Sequence, residues 1–337
     1  MRAVHNPPNP FESAHRHLLE PAPEARVEVY EDASRTILSR NESPDLPFRW
    51  SLNPYRGCFH ACAYCYARPT HEYWGLGAGS DFDTKLILKR DAPALLRQTF
   101  LRRSWQGELV LFSGVTDCYQ PMEATYGLTR ACLEICAEFR NPVAIITKGT
   151  LILRDLDILQ TLQRDAWVRV YLSVPFVTAD MARKMEPRAP SPEKRFETMR
   201  ALSDAGLSVG VSLAPIIPGL NDQDMPQVLR RARQSGATEA FMNLLRLPGH
   251  SATVFWERLA EAFPDRVQRI RHRLASARGG DPSDSRYFER RVGHDEAWRT
   301  IEHLFAVTRR TLGYPAHEDT VIPNTFRRPT TAQTTLF

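Results

Sequence analysis

Asn53-Pro54-Tyr55-Arg56-Gly57-Cys58-Phe59-His60-Ala61-Cys62-Ala63-Tyr64-Cys65-Tyr66-Ala67 holds three of the chain's six cysteines within eight residues. The spacing is C-x3-C-x2-C, in a loop that follows a short strand-like run at 50–53. Three thiolates on one short loop can hold three irons of a cubane [4Fe–4S] cluster, leaving the fourth iron open to another ligand. Structural zinc prefers four ligands, usually from paired C-x2-C elements. His60 and His71 are close enough in sequence to complete a Cys3His set, so zinc is an open alternative. Cys58, Cys62 and Cys65 are the expected metal ligands either way.

Beyond the loop, short apolar runs alternate with helical patterns. The runs are Leu109-Val110-Leu111-Phe112, Val143-Ala144-Ile145-Ile146, Val168-Arg169-Val170-Tyr171-Leu172, Leu207-Ser208-Val209-Gly210-Val211-Ser212-Leu213 and Ala240-Phe241-Met242-Asn243-Leu244. Each is short and rich in β-branched or aromatic residues, as strands buried on both faces should be. One intervening helix is marked by Ser191-Pro192-Glu193 at its start, Phe196, Met199, Ala201 and Leu202 as its stripe, and Gly206 at its end. Repeated strand–helix alternation implies parallel strands with right-handed crossovers. With the run at 50–53 there are six βα units, short of the eight in a closed barrel.

Composition narrows the class. The 337 residues carry 44 Lys and Arg against 39 Asp and Glu, a net charge of +5, and 42% are hydrophobic. That is the make-up of a soluble globular protein, and the mild positive charge is compatible with a nucleic-acid partner. No apolar run approaches the roughly 18 residues of a membrane helix, and residues 1–8 lack an apolar signal core. Clustered cysteines in a long chain without a signal point to a metal and a reducing cytoplasm, not to a disulfide scaffold.

The C-x3-C-x-aromatic-C motif after the first strand resembles the radical S-adenosylmethionine (radical SAM) superfamily. Cys65-Tyr66-Ala67-Arg68-Pro69-Thr70-His71-Glu72-Tyr73 is similar to a stretch in the spore photoproduct lyase-like subgroup. The resemblance implies an α/β fold, a partial (β/α)6 TIM-like barrel over 47–250. A largely irregular N-terminal extension (1–46) would precede it, and a helical segment (251–314) and flexible tail (315–337) would follow. It also implies two cofactors, a [4Fe–4S] cluster and SAM, whose reductive cleavage yields a 5′-deoxyadenosyl radical that abstracts hydrogen from a substrate. An external reductant such as flavodoxin or ferredoxin would supply the electron.

The same resemblance marks further residues. Tyr64, before the third cysteine, is expected against the adenine. Ser113, Gly114 and Asp117 follow the second strand, where many members bind the SAM amino group. The common Gly-Gly-Glu form is absent, and Asp117 also suits an Asx turn. Lys148, after the third strand, is expected to meet the SAM carboxylate, with Asp155 as a structural alternative. Ser173 resembles a ribose or carboxylate contact. Glu186 and Arg195 either touch the cofactor or pair with each other, and Pro215 packs against adenine or simply in the core. Cys118, with Tyr119 as the alternative, is the expected donor that returns hydrogen to the product radical. Cys132 and Cys136, four apart on one helix face, read as packing.

DNA is the leading substrate expectation, as in lyase-like repair, with a protein, an RNA or a small molecule as the enzymatic alternatives. A zinc-stabilised nucleic-acid-binding protein is the non-enzymatic one. Eight arginines against four acids between Pro264 and Arg291 form either a solvated helix face or a phosphate contact. His71, Glu72, Tyr73 and Trp74 are expected to wall the substrate cavity. The terminal Gln333-Thr334-Thr335-Leu336-Phe337 resembles the peptide by which bacterial repair proteins dock on the sliding clamp.

Overall fold

The computed structural model describes residue 10 and residues 26–280, 286–315 and 321–329. Its strands are β1 (Glu28–Glu31), β2 (Leu38–Arg40), β3 (Trp50–Leu52), β4 (Tyr55–Arg56), β5 (Lys85–Leu88), β6 (Val110–Phe112), β7 (Val143–Thr147), β8 (Val168–Ser173), β9 (Val209–Ile216) and β10 (Glu239–Leu244). One sheet runs β10-β9-β8-β7-β6-β3-β2. Its six central and terminal runs from β3 to β10 are parallel, and only β2 is antiparallel, on β3. These are the six strands anticipated from the apolar runs, and the sheet stays open, a partial barrel.

Helices lie between the parallel strands, as crossovers require. The helix Pro192–Asp204 begins where its signals say: the Ser191 hydroxyl accepts from Lys194 N at 3.3 Å. Phe196, Met199 and Leu202 are buried against the sheet, while Cys132 and Cys136 pack in the same apolar cluster from helix Leu128–Glu138. After β10 come helices Ser251–Ala262, Val267–Ala277 and Glu296–Thr311. No described helix is long and apolar enough to cross a membrane.

Two regions differ from the expectation. The extension before residue 47 supplies two strands: β1 pairs parallel with β5, which also pairs with β4, and β2 adds an edge to the main sheet. All four residues of β1 are exposed, so no hydrophobic period announces it. Residues 321–329 are docked instead of loose. Phe326 packs its ring 5.8 Å from Phe100 and 6.0 Å from Phe139, and Arg327 N donates to Phe139 O at 2.8 Å. Gly107, with φ at +76°, leaves room for Phe326, whose Cβ a side chain there would meet at 2.2 Å. Gln333, Leu336 and Phe337 lie outside the described residues.

Candidate active site at the carboxyl ends of the strands

The cysteine loop runs from β4 into the 3-10 helix Arg68–Trp74. Gly57 turns it with φ at +72°, and a Cβ there would stand 2.9 Å from both the His71 ring and the Phe82 carbonyl, so the turn demands glycine. The loop's peptide groups are held from several sides. Buried Gln120 accepts from Phe59 N at 2.9 Å and donates to Gly57 O at 3.0 Å. Arg68 donates to Cys62 O at 2.8 Å, Arg258 to Ala61 O at 2.6 Å, and Ser251 to Cys65 O at 3.0 Å. Both guanidiniums share the fully buried Asp83, at 2.8 and 2.5 Å. Gln120→Ala should lower stability by about 1–3 kcal/mol, because it strands a buried N–H and a buried carbonyl of the loop. A denaturation midpoint equal to wild type would contradict that.

Cys58 and Cys62 are 7% and 8% exposed, Cys65 is partly buried, and all three are free thiols. Burial pushes the three thiols up, Cys62 to about 12. Thiolates so placed need a bound cation to compensate them, as a metal centre provides. Among the described residues no three His, Cys, Asp or Glu side chains converge on a point for a single metal ion. Three thiolates on one short loop are the donor set that three irons of a cubane would take. Each histidine of the zinc alternative has one ring nitrogen engaged, and His71 Nδ1 is buried without a partner. His60 Nδ1 stands 3.4 Å from Asp117, and His71 Nε2 lies 2.8 Å from Lys85 O.

Next to the cysteines is a buried polar group. The Tyr64 hydroxyl donates to Glu186, and Arg195 donates to the other oxygen of that carboxylate. Arg195 also donates to Ser173 O at 2.9 Å and Pro190 O at 2.8 Å, so each of its three nitrogens has a partner inside the protein. Burial would raise the Glu186 carboxyl, but Arg195 and Lys148 outweigh it and hold it below the usual range. Lys148 Nζ is 3.9 Å from Glu186 and 5.6 Å from the centre of the Tyr64 ring, with no closer acid among the described residues; Asp155 instead takes Arg130, Arg154 and Tyr119. The Tyr64 and Phe176 rings lie 6.2 Å apart.

Asp117 ties three elements together. It accepts from Thr147 Oγ1 at 2.5 Å, Lys148 N at 2.7 Å and Tyr119 N at 3.0 Å, besides facing His60. Burial alone would raise this carboxyl; His60 and the donated hydrogen bonds win and hold it well below the usual range. Ser113, at φ +73°, accepts from Cys118 N, and the Gly114 carbonyl accepts from the Tyr66 hydroxyl. The Ser173 hydroxyl is 3.5 Å from Ala214 O, and Pro215 O accepts from Asn221, which also binds Pro175 O. Cys118 and Tyr119, the candidate hydrogen donors, are 1% and 2% exposed in the main apolar cluster. Of the four residues expected to wall the cavity, His71 and Glu72 are buried, the latter 2.5 Å from His250, while Tyr73 and Trp74 are exposed. Several arginines of the basic stretch are engaged internally: Arg278 caps Leu245 O and Arg290 O, and Arg290 pairs with Asp45.

Gln120, Asp83, Arg258, Asn221 and Asn53 went unmarked in the sequence. Asn53 accepts from Val115 N and Thr116 N. Their partners are mostly far along the chain, and no spacing rule pairs them. The available signal was only that amide and acid side chains flank the cysteine loop and the strand ends.

Six parallel strands with three buried or half-buried cysteines at their carboxyl side, and a cationic and aromatic group beside them, define a cluster-bearing partial barrel. The chain belongs to the radical SAM superfamily, whose profile matches residues 52–232. Its cofactors are accordingly a [4Fe–4S] cluster and SAM. An uncharacterised protein of Mycobacterium tuberculosis is 38% identical over 228 residues, 67% of each chain. One from Methanocaldococcus jannaschii is 27% identical over 198 residues, covering 59% of this chain and 71% of its own. In fold the chain is similar to spore photoproduct lyase complexed with dinucleoside spore photoproduct: TM-score 0.61, 14% identity, 85% of this chain and 79% of that one.

Proposed function

We propose that SAM sits between the cysteine loop and the ends of β6, β7 and β8, and that the enzyme acts on DNA, in the manner of lesion repair. Lys148 carries the first part. It is a largely buried cation at a strand end whose nearest acid, Glu186, is 3.9 Å away and already holds Arg195 and Tyr64. A buried ammonium so placed is stabilised by an added carboxylate, and SAM has one.

Cys58, Cys62 and Cys65 hold the cluster. Together the bound cofactors supply a 5′-deoxyadenosyl radical able to take a hydrogen atom from the substrate. Lys148 binds the SAM carboxylate, and the Tyr64 ring offers a wall to the adenine. Glu186 and Arg195 act as positioning residues that fix Tyr64 and the end of β8. Asp117, with its oxygens engaged, positions β7 against the cysteine loop, while the backbone at Ser113 and Gly114, the Ser173 hydroxyl and Pro215 border the cofactor. Hydrogen return from Cys118 or Tyr119 requires the substrate's radical carbon to reach inside the barrel mouth.

The DNA reading is supported by the fold likeness to spore photoproduct lyase and by the net positive charge. The catalytic unit is the barrel over 47–250, carried between the N-terminal extension and the helical segment. A flavodoxin- or ferredoxin-type reductant in the cytoplasm suits its free thiols. Deuterium carried by ultraviolet-irradiated DNA should appear in the 5′-deoxyadenosine that the enzyme forms. Label arriving there only from a deuterated protein, RNA or small molecule would replace DNA as the substrate.

Lys148→Ala should weaken SAM binding by about tenfold or more, the worth of a charge-assisted contact, and leave the cluster's absorption intact. Unchanged SAM affinity would make Lys148 a structural partner of Glu186 alone.

A further inference from the structure

The rim of the barrel mouth carries a guanidinium that has no partner among the described residues. Arg246 follows β10, where Leu245 N still bonds Ile216 O at 2.9 Å. The side chain is half-buried, its Nε is enclosed without a hydrogen-bond partner, and among the described residues it makes no hydrogen bond or ion pair. Asp45, which lies against this end of the chain through Arg291, is engaged by both Nε and Nη2 of Arg290, at 2.9 and 2.6 Å. Arg291 adds a third positive charge to this rim, donating to Asn243 Oδ1 at 3.0 Å and Asp45 O at 2.5 Å. Burial, and then Arg290, push the Arg246 pKa below an ordinary arginine's. It stays charged nonetheless.

A partly desolvated charge with no counter-ion is destabilising, and an arriving anion would relieve it. Tyr66, the residue after Cys65, is 48% exposed, and the segment that follows Arg246 reaches its loop, where Ser251 donates to Cys65 O at 3.0 Å. Its hydroxyl bonds the Gly114 carbonyl, which holds the ring at the mouth.

We propose that Arg246 binds a phosphate of a nucleic-acid substrate beside the cluster, with the exposed Tyr66 ring offering a face to the adjoining base. The planar guanidinium fork matches a phosphate's oxygens, and an aromatic face beside it suits base stacking. This site rests on the reading of this end of the barrel as the substrate mouth.

The test uses reconstituted wild type, Arg246→Ala and Arg246→Lys. Calorimetry measures binding of the dinucleotide thymidylyl-thymidine, of uncharged thymidine and of a glutamate-rich peptide, with SAM affinity read on the same samples. Arg246→Ala should weaken dinucleotide binding about tenfold or more and flatten its salt dependence by roughly one contact. Thymidine and SAM binding should be unchanged, and lysine should recover part of the loss. The site is overturned by equal dinucleotide affinity in wild type and Arg246→Ala, by no dinucleotide binding in a wild type that binds SAM, or by an effect confined to the peptide. A wild type that fails to bind SAM would refute the functional reading itself.

Discussion

Replacing Cys58, Cys62 or Cys65 singly by alanine is expected to abolish cluster assembly and, with it, SAM cleavage. Each thiolate would hold a different iron of the cluster, so losing one would leave an iron without its ligand. Cys118, the nearest other thiol in sequence, is committed to the apolar cluster, and His60 is held against Asp117. Iron content per chain measures the effect directly. About four irons retained in any one of the three variants would remove that cysteine from the ligand set.

The second large effect belongs to Asp83. This carboxylate is fully buried between Arg68 and Arg258. Asp83→Ala leaves two buried guanidiniums without their acid, at a cost of about 3–5 kcal/mol. The same guanidiniums hold Cys62 O and Ala61 O, so loss of the acid should also loosen the cysteine loop. Denaturant titration of the variant should show the destabilisation, and reconstitution should show a lower iron yield than wild type. A stability within about 1 kcal/mol of wild type would show that the two arginines find other partners.

The parallel strands and the cysteine loop were legible because each is written locally. Val143-Ala144-Ile145-Ile146 and its counterparts are apolar on both faces, and three cysteines on one loop need no distant partner to be noticed. The helix at Pro192–Asp204 likewise carries its cap, stripe and stop within itself. What stayed illegible is long-range. β1 shows no buried face and forms only by pairing with β5, more than fifty residues on. Asp83 matters because two arginines, one of them in helix Ser251–Ala262, close on it. The Glu186–Arg195 pairing was foreseen as one of two options, and the structure supplies the reason: the hydroxyl of Tyr64 and the carbonyl of Ser173 complete it. Arg246 looked like any other arginine until the burial of its Nε and the occupation of Asp45 were known.

Anaerobic reconstitution with iron and sulfide, followed by reduction with dithionite and addition of SAM, tests the central claim most directly. The readouts are the electron paramagnetic resonance spectrum and the formation of 5′-deoxyadenosine. The prediction is a brown protein with about four irons per chain, a spectrum that changes when SAM is added, and 5′-deoxyadenosine formed by wild type but by none of the three cysteine variants. A colourless protein that takes up zinc in place of iron, or a cluster whose spectrum ignores SAM and yields no 5′-deoxyadenosine, would contradict it.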